Sequence, residues 1–346
     1  MTFRLAMIGV DHPHGAGWRE LILNMDADIE FVAVVPRFEG GLASLEEQLA
    51  DLPRFETTAQ LVDWGGFDGA LVCLPNDEGP ATVQQLAKAG KHVLAEKPLA
   101  GSASAVSAAL DAVDLADVAF QTGYMWRYDD CTNRLRRMVT DGQFGKLINV
   151  EMTFVTSDVT RRGPSHYLFN RERSGAGFFN WLACHYLDLL LYVTDADVTA
   201  VTARTGVWGD EPVEVEDGGA AIIELSNGAL ATFVGGYWLP RWAGEAHWTV
   251  RGSQRWVDWL PGVDGGRLEI HGPKPQWHAM EEAFTAGADD TPGYGGRLGS
   301  RLVADWLDAT TNKRTCRNST HSTRQTLKLL DLIAESSARG QRIEVR

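Results

Sequence analysis

The apolar positions of the first hundred residues come in short continuous runs. Phe3–Ile8, Phe31–Val35, Gly69–Leu74 and His92–Ala95 are such runs, without polar alternation. Strands of that kind are covered on both faces, as in a parallel sheet. Between the first two, Trp18, Leu21, Ile22 and Met25 recur at helical spacing. Before the fourth, Val83, Leu86 and Ala87 give one apolar face to a helix over Ala81–Ala89, which Gly90 closes. Strands alternating with helices across short turns predict βαβ units. Right-handed crossovers bring the carboxyl ends of their strands to one edge, where ligands bind. Gly9, Pro75, Asn76, Glu96 and Lys97 all fall at that edge.

After residue 145 the pattern changes. Lys146–Ser157, Val198–Trp208, Ala220–Leu225, Ala229–Tyr237, His247–Gly252 and Arg255–Leu260 read as strands. Turns such as Ser226-Asn227-Gly228 and Gly252-Ser253 separate them and predict a mostly antiparallel sheet. One helix, His185–Val193, precedes most of it; Arg301–Thr310 and Ser322–Ser337 read as late helices. The glycine-rich stretch Gly287–Gly299 reads as a mobile loop. An open sheet of this kind leaves an apolar face, so a homodimer or homotetramer is expected.

A chain of 346 residues is too long for one ordinary core and suits two domains. With 44% hydrophobic and 23% charged residues it is globular. The formal net charge of -14, with no basic run, argues against nucleic acid or an anionic membrane as partner. No apolar stretch approaches the ~20 residues of a spanning helix. The opening MTFRLAMIGV has one basic residue and runs into a strand, not into a cleavage site. Cys73, Cys131, Cys184 and Cys316 are dispersed and form no paired motif, so a reducing cytoplasm is the expected location.

The first strand leads into Gly9-Val10-Asp11-His12-Pro13-His14-Gly15. A dinucleotide fingerprint wants G-x-G-x-x-G there. Asp11 holds the second glycine's place, His14 the third, and Gly15 comes one residue late. An inward Asp11 would repel a diphosphate. The plain reading of Asp11, His12 and His14 is a turn with a helix N-cap; metal binding by the two histidines is the other reading, and no metal is expected. The second strand ends in Arg37, with no acid to hold a ribose. Arg37 either faces the 2′-phosphate of NADP or is a solvated surface residue.

Pro75-Asn76, then Ala89-Gly90-Lys91-His92-Val93-Leu94, then Glu96-Lys97-Pro98-Leu99, resembles the Gfo/Idh/MocA oxidoreductases. Tyr124-Met125-Trp126-Arg127-Tyr128, Asp141–Lys146, and Ser174-Gly175-Ala176-Gly177 followed by His185-Tyr186-Leu187-Asp188 agree. The likeness spans nearly the whole chain and is densest over 69–190. It implies an α/β protein: an N-terminal Rossmann domain, 1–122, and a C-terminal α+β domain, 123–346, with a large, mostly antiparallel open sheet for substrate binding and oligomerisation. It implies NAD or NADP as cofactor, a sugar or polyol as substrate, and Lys97 close to both. The cofactor edge expected from it comprises Gly9, Asp11, His14, Arg37, Pro75, Asn76, Glu96, Lys97 and Pro98. The family pattern also suggests a cis Lys97–Pro98 bond.

Hydride transfer from a carbinol requires the hydroxyl proton to leave as the carbonyl forms. A lysine ammonium donates a hydrogen bond to that oxygen and stabilises its charge. If desolvated, its pKa falls and it can shuttle the proton. The other reading of Glu96-Lys97 is a surface ion pair. The second block departs from the family's D-x-x-x-H arrangement: Trp181 stands four residues before His185, with Asn180 ahead of it. His185 becomes the remaining proton-transfer group, or else a buried structural histidine. Asp188, one helical turn on, is placed to fix its tautomer. The expectation is that Lys97 and His185 meet over the nicotinamide. Arg127, Tyr128, His166, Asn180 and Trp181 complete the substrate candidates, with Tyr167 beside His166. Trp126, Trp181, Trp238 and Trp242 either stack on sugar rings or pack in core and interface. A dehydrogenase is the first reading of function. A lyase or hydrolase using transient oxidation, and a cofactor-binding regulator without catalysis, are the alternatives.

Overall fold

The protein was analysed as a computed structural model, which describes residues 2–10, 12, 14–37, 49–261, 266–272 and 280–345. Two compact units form: residues 1–128 with 290–324, and residues 129–289 with 325–346. The helices used below are α1 (Gly15–Leu23), α2 (Thr58–Trp64), α3 (Gly79–Lys88), α4 (Ala103–Ala116), α5 (Asp130–Thr140), α6 (Cys184–Thr194), α7 (Gly296–Asn312) and α8 (Thr320–Arg339).

In the first unit five strands run parallel: β1 (Phe3–Ile8), β2 (Ile29–Val35), β3 (Gly69–Val72), β4 (His92–Ala95) and β5 (Phe120–Thr122). Their order is β2-β1-β3-β4-β5, so the direction of winding reverses between β1 and β3. The apolar runs are buried on both faces, as a sheet sandwiched between helices requires. Helix starts are local: Thr57 accepts from the Gln60 N–H and Ser102 from the Ala105 N–H.

The expected split at 122/123 is corrected by the packing of residues 123–128 and 290–324 with the first unit. Leu302, Val303, Trp306 and Ala309 of α7 enter the core beside Leu5, Met7, Trp18 and Leu94. Nothing in the local pattern of α7 says which apolar surface it covers. The segment before it is likewise seated, not the mobile loop expected: Tyr294 donates its N–H to Gly17 O, and a side chain at Gly293 would collide with the Leu21 backbone. Trp306 is wholly buried. Trp306→Ala is expected to cost about 3–5 kcal/mol, read as a lower urea midpoint for the first unit.

The second unit holds a nine-stranded sheet. Its strands are β6 (Leu147–Ser157), β7 (Val198–Gly206), β8 (Gly218–Leu225), β9 (Leu230–Leu239), β10 (Gly244–Gly252), β11 (Trp256–Leu260), β12 (Arg267–His271), β13 (Met280–Thr285) and β14 (Ile343–Glu344). The order is β13-β12-β11-β10-β6-β9-β8-β7-β14. Among the described residues β6 and β9 pair in parallel and the other seven pairs are antiparallel. Helix α6 is apolar almost all round and lies on one face, where Tyr186 stacks on Phe154 at 4.8 Å and meets Phe233 and Trp248. The alternate residues Ile222, Leu230 and Val234 are exposed. β12, β13 and β14 have no counterpart among the expected strands.

Candidate functional site

In the first unit the carboxyl ends of β1, β3 and β4 converge as expected. Gly9 follows β1 with φ +77°, its N–H donating to Val35 O. A Cβ there would lie 2.0 Å from Cys73 O, so the turn closes only around glycine. Gly15 is similarly tight, 2.3 Å from Val10 O. Pro75 O accepts the N–H groups of Glu78 and Gly79 at the head of α3, and Asn76 is buried beside them.

After β4 the Glu96 N–H donates to Val72 O, and the Lys97–Pro98 bond is cis. Glu96 and Lys97 are 4% and 3% exposed, which excludes the surface ion pair. Glu96 is the hub. One oxygen accepts from the Lys97 N–H at 2.7 Å; the other lies 2.5 Å from His14 Nδ1 and 3.3 Å from Trp18 Nε1. Burial alone would raise its pKa, but His14, Lys97 and His12 together hold it well below the usual carboxylate range. Its stabilisation is therefore complete above its ordinary value of 4.5 and is lost as pH falls through the lowered folded value. Glu96→Gln should cost about 2 kcal/mol near pH 7, with the gap to the parent closing as urea midpoints are followed below pH 4.

Arg37 lies at the same edge, but its guanidinium is bonded to the Glu78 carboxylate. Asp11 lies outside the described residues. His14 stands at the start of α1 yet does not cap it through its side chain, so the N-cap reading fails for this residue. Among the described residues no group of three or more His, Cys, Asp or Glu could hold a metal ion.

Arg127 and Tyr128 do not join this edge. Arg127 donates to Arg317 O, and Arg317 returns a bond to Arg127 O. The Tyr128 hydroxyl donates to Asp305 and lies 3.1 Å from Gln121 Oε1. Burial first, then Asp305, pushes the phenol pKa far above its ordinary value. These residues fasten the 290–324 segment, which the chain order gave no reason to place there.

In the second unit Asn180 and Trp181 lie in a π-helical turn, Phe179–Ala183, that leads into α6. Its closing bond runs from the Cys184 N–H to Phe179 O, five residues back. Bonding from i to i+5 makes this turn wider than an α turn, so the α-helical spacing that set Trp181 one turn ahead of His185 does not apply across it, and Asn180 and Trp181 both lie in the turn before that histidine. Glu216 sets the turn, accepting from the N–H groups of Gly177 and Phe179 at 2.9 and 3.2 Å. A Cβ on Gly177 would lie 1.9 Å from Glu216 O. Burial raises the pKa of the Glu216 carboxyl.

Asn180, Trp181, His185 and Asp188 are all buried. Asp188 accepts from the Thr326 hydroxyl at 2.9 Å. His166 caps a short 3-10 turn, and Tyr167 meets Trp181 edge to face at 5.7 Å. Of the other tryptophans, Trp126 packs on the first core and Trp242 is 72% exposed. Trp238 lies across Gly218 and Gly236, where any Cβ would strike the indole. With Trp208, Tyr237, Asp158 and Glu211 it lines a cavity of about 520 Å3. Trp208, which the sequence did not single out, meets it edge to face at 5.9 Å, and buried Asp217 holds both.

A parallel sheet with a glycine turn at its switch point defines a dinucleotide-binding unit. The residues fit such a cofactor: Gly9 and Gly15 hold the turn after β1 against neighbouring backbone where only glycine is accommodated, at the head of α1. Residues 3–124 match the family model described as oxidoreductase family, NAD-binding Rossmann fold, and residues 132–258 match the GFO/IDH/MocA C-terminal domain. The chain belongs to the Gfo/Idh/MocA oxidoreductase family. It is 26% identical over 211 residues to myo-inositol 2-dehydrogenase of Thermotoga maritima, covering 60% of this chain and 61% of that one. The fold is that of aldose-aldose oxidoreductase from Caulobacter crescentus complexed with glycerol, with TM-score 0.83 and 20% identity over 100% of both chains. Levoglucosan dehydrogenase in complex with NADH and levoglucosan superposes with TM-score 0.86 at 18% identity, also over 100% of both chains.

Proposed function

We propose that this protein is a nicotinamide-dependent dehydrogenase that oxidises a secondary hydroxyl of a sugar or polyol, with NAD as cofactor. One observation carries the reading: a buried lysine at the carboxyl end of β4, seated by a carboxylate that also reaches the glycine turn after β1. The substrates named for the relatives, inositol and levoglucosan, support the substrate class.

A bound nicotinamide supplies the hydride acceptor. Lys97 does the work on oxygen. Its ammonium donates to the carbinol oxygen and stabilises the charge that grows there as the C–H bond breaks. When Lys97 starts as the neutral amine it takes the hydroxyl proton itself, and the ammonium so formed makes that bond to oxygen; when it starts as ammonium the proton goes to a separate base. Asn180 can hold a hydroxyl by hydrogen bonds but cannot take a proton. NAD is favoured over NADP because Glu78 already occupies Arg37, so a 2′-phosphate must displace a carboxylate. The exposed Ile222, Leu230 and Val234 support a dimer formed through that sheet face; sedimentation as a monomer at micromolar concentration would count against it.

The test is absorbance at the NADH band with a panel of inositols, aldoses and anhydrosugars. NADH should accumulate with at least one, and faster with NAD than with NADP. A panel without NADH formation, in a protein shown to bind NADH, would defeat the reading. The amide at 180 favours one second reading, transient oxidation followed by elimination. That reaction consumes substrate with no net NADH.

A further inference from the structure

We propose that His14 is the side chain that grips the dinucleotide diphosphate in this protein, and that Glu96 joins that grip to the seat of Lys97 in one hydrogen-bonded unit. The inference rests on the NAD-binding fold and not on the identity of the substrate.

Position comes first. His14 immediately precedes α1, the helix that follows β1, and in a doubly wound sheet the diphosphate lies at the N-terminus of that helix. The fingerprint has glycine near this point so that backbone N–H groups can approach the phosphates. Here a side chain with two ring nitrogens stands instead. It does not serve the helix, since it makes no cap bond.

What His14 does contact fixes its direction. Nδ1 faces Glu96 Oε1 at 2.5 Å. One ring face stacks on Tyr294 at 4.3 Å and an interplanar angle of 25°. His12 approaches at 5.3 Å, nearly perpendicular. The ring is thus held in plane and in rotation. Nε2 has no hydrogen-bond partner among the described residues, and the side chain remains 29% exposed. The Nδ1 bond leaves Nε2 as the outward nitrogen, and a ring carrying protons on both is a donor to an anion.

The charges require such a group. Glu96 is a buried carboxylate at an edge where a doubly negative diphosphate binds, and two bare anions there would repel. The His14 ring, with Nδ1 on Glu96 and its other nitrogen free of protein partners among the described residues, stands between the two. The same carboxylate accepts the Lys97 N–H with its other oxygen. Diphosphate, His14, Glu96 and the Lys97 backbone then form a single chain of contacts.

Isothermal titration with ADP-ribose, which has the diphosphate and no nicotinamide, and with adenosine, which lacks the diphosphate, tests this without any turnover. His14→Ala should raise the Kd of ADP-ribose and of NADH about tenfold, the worth of one charge-assisted bond, and leave adenosine within about twofold. His14→Gln, which keeps a donor and loses the charge, should fall between and show a shallower salt dependence than the parent. Glu96→Gln should weaken ADP-ribose several-fold, whereas Lys97→Met should not. Unchanged ADP-ribose affinity in His14→Ala, or an equal loss for adenosine, overturns the grip. Parental affinity in Glu96→Gln overturns the coupling. A protein that binds ADP-ribose as expected but oxidises no sugar would sink only the substrate reading above.

Discussion

Replacing Lys97 by methionine is expected to lower kcat/KM about a thousandfold, with the NADH Kd nearly unchanged. Methionine keeps the unbranched apolar stem that fills the buried site and deletes only the ammonium. General acid–base help is worth about 10²–10⁴-fold and one donor to a developing oxyanion about 10²–10³-fold; where one group supplies both, about 10³ is a conservative sum. The backbone bond from the Lys97 N–H to Glu96 does not depend on the side chain, so the cofactor edge should survive. Steady-state rates beside NADH titrations check this. Turnover within tenfold of the parent would remove Lys97 from the chemistry. Equal losses in rate and in NADH affinity would make it a structural residue.

The second large effect is expected at Gly9. Alanine there must adopt φ near +77° and must place its Cβ 2.0 Å from Cys73 O. Neither can relax cheaply. The Cys73 N–H is held by Ile8 O and the Gly9 N–H by Val35 O, so the turn is pinned to β2 and β3 at once. Left-handed backbone costs about 1–2 kcal/mol for an L residue and overpacking about 1–3 more. Gly9→Ala should therefore lose about 3 kcal/mol of stability and most of its dinucleotide affinity. Urea midpoints and ADP-ribose titrations measure the two. An unchanged midpoint would mean that the turn has slack the geometry does not allow for.

Much of this was legible along the chain. The four apolar runs became β1 to β4 with small shifts at their ends, because strands buried on both faces need continuous apolar sequence. Glu96-Lys97-Pro98 was legible as a motif because strand, turn and chemistry are contiguous there. Other features were hidden. Spacing placed Trp181 one α turn before His185, but the chain makes a π turn there and that spacing does not apply. Periodicity assumes one helix type, so a local change of pitch cannot be read from it. Arg127 and Tyr128 looked like pocket residues beside an aromatic–arginine stretch, yet each also bonds a partner in the 290–324 segment, 190 and 177 residues away.

The sequence by itself determined the alternation of strand and helix, the dinucleotide edge, the change to an antiparallel sheet and the presence of Lys97 and His185, since each depends on neighbours within about a dozen residues. Tertiary structure alone decided that residues 290–324 complete the first unit, that Glu78 holds Arg37, and that His14 turns its imidazole to Glu96 rather than capping α1. Those outcomes are set by contacts between segments 41 to about 300 residues apart. Their free energies come from burial and charge pairing that no local pattern encodes.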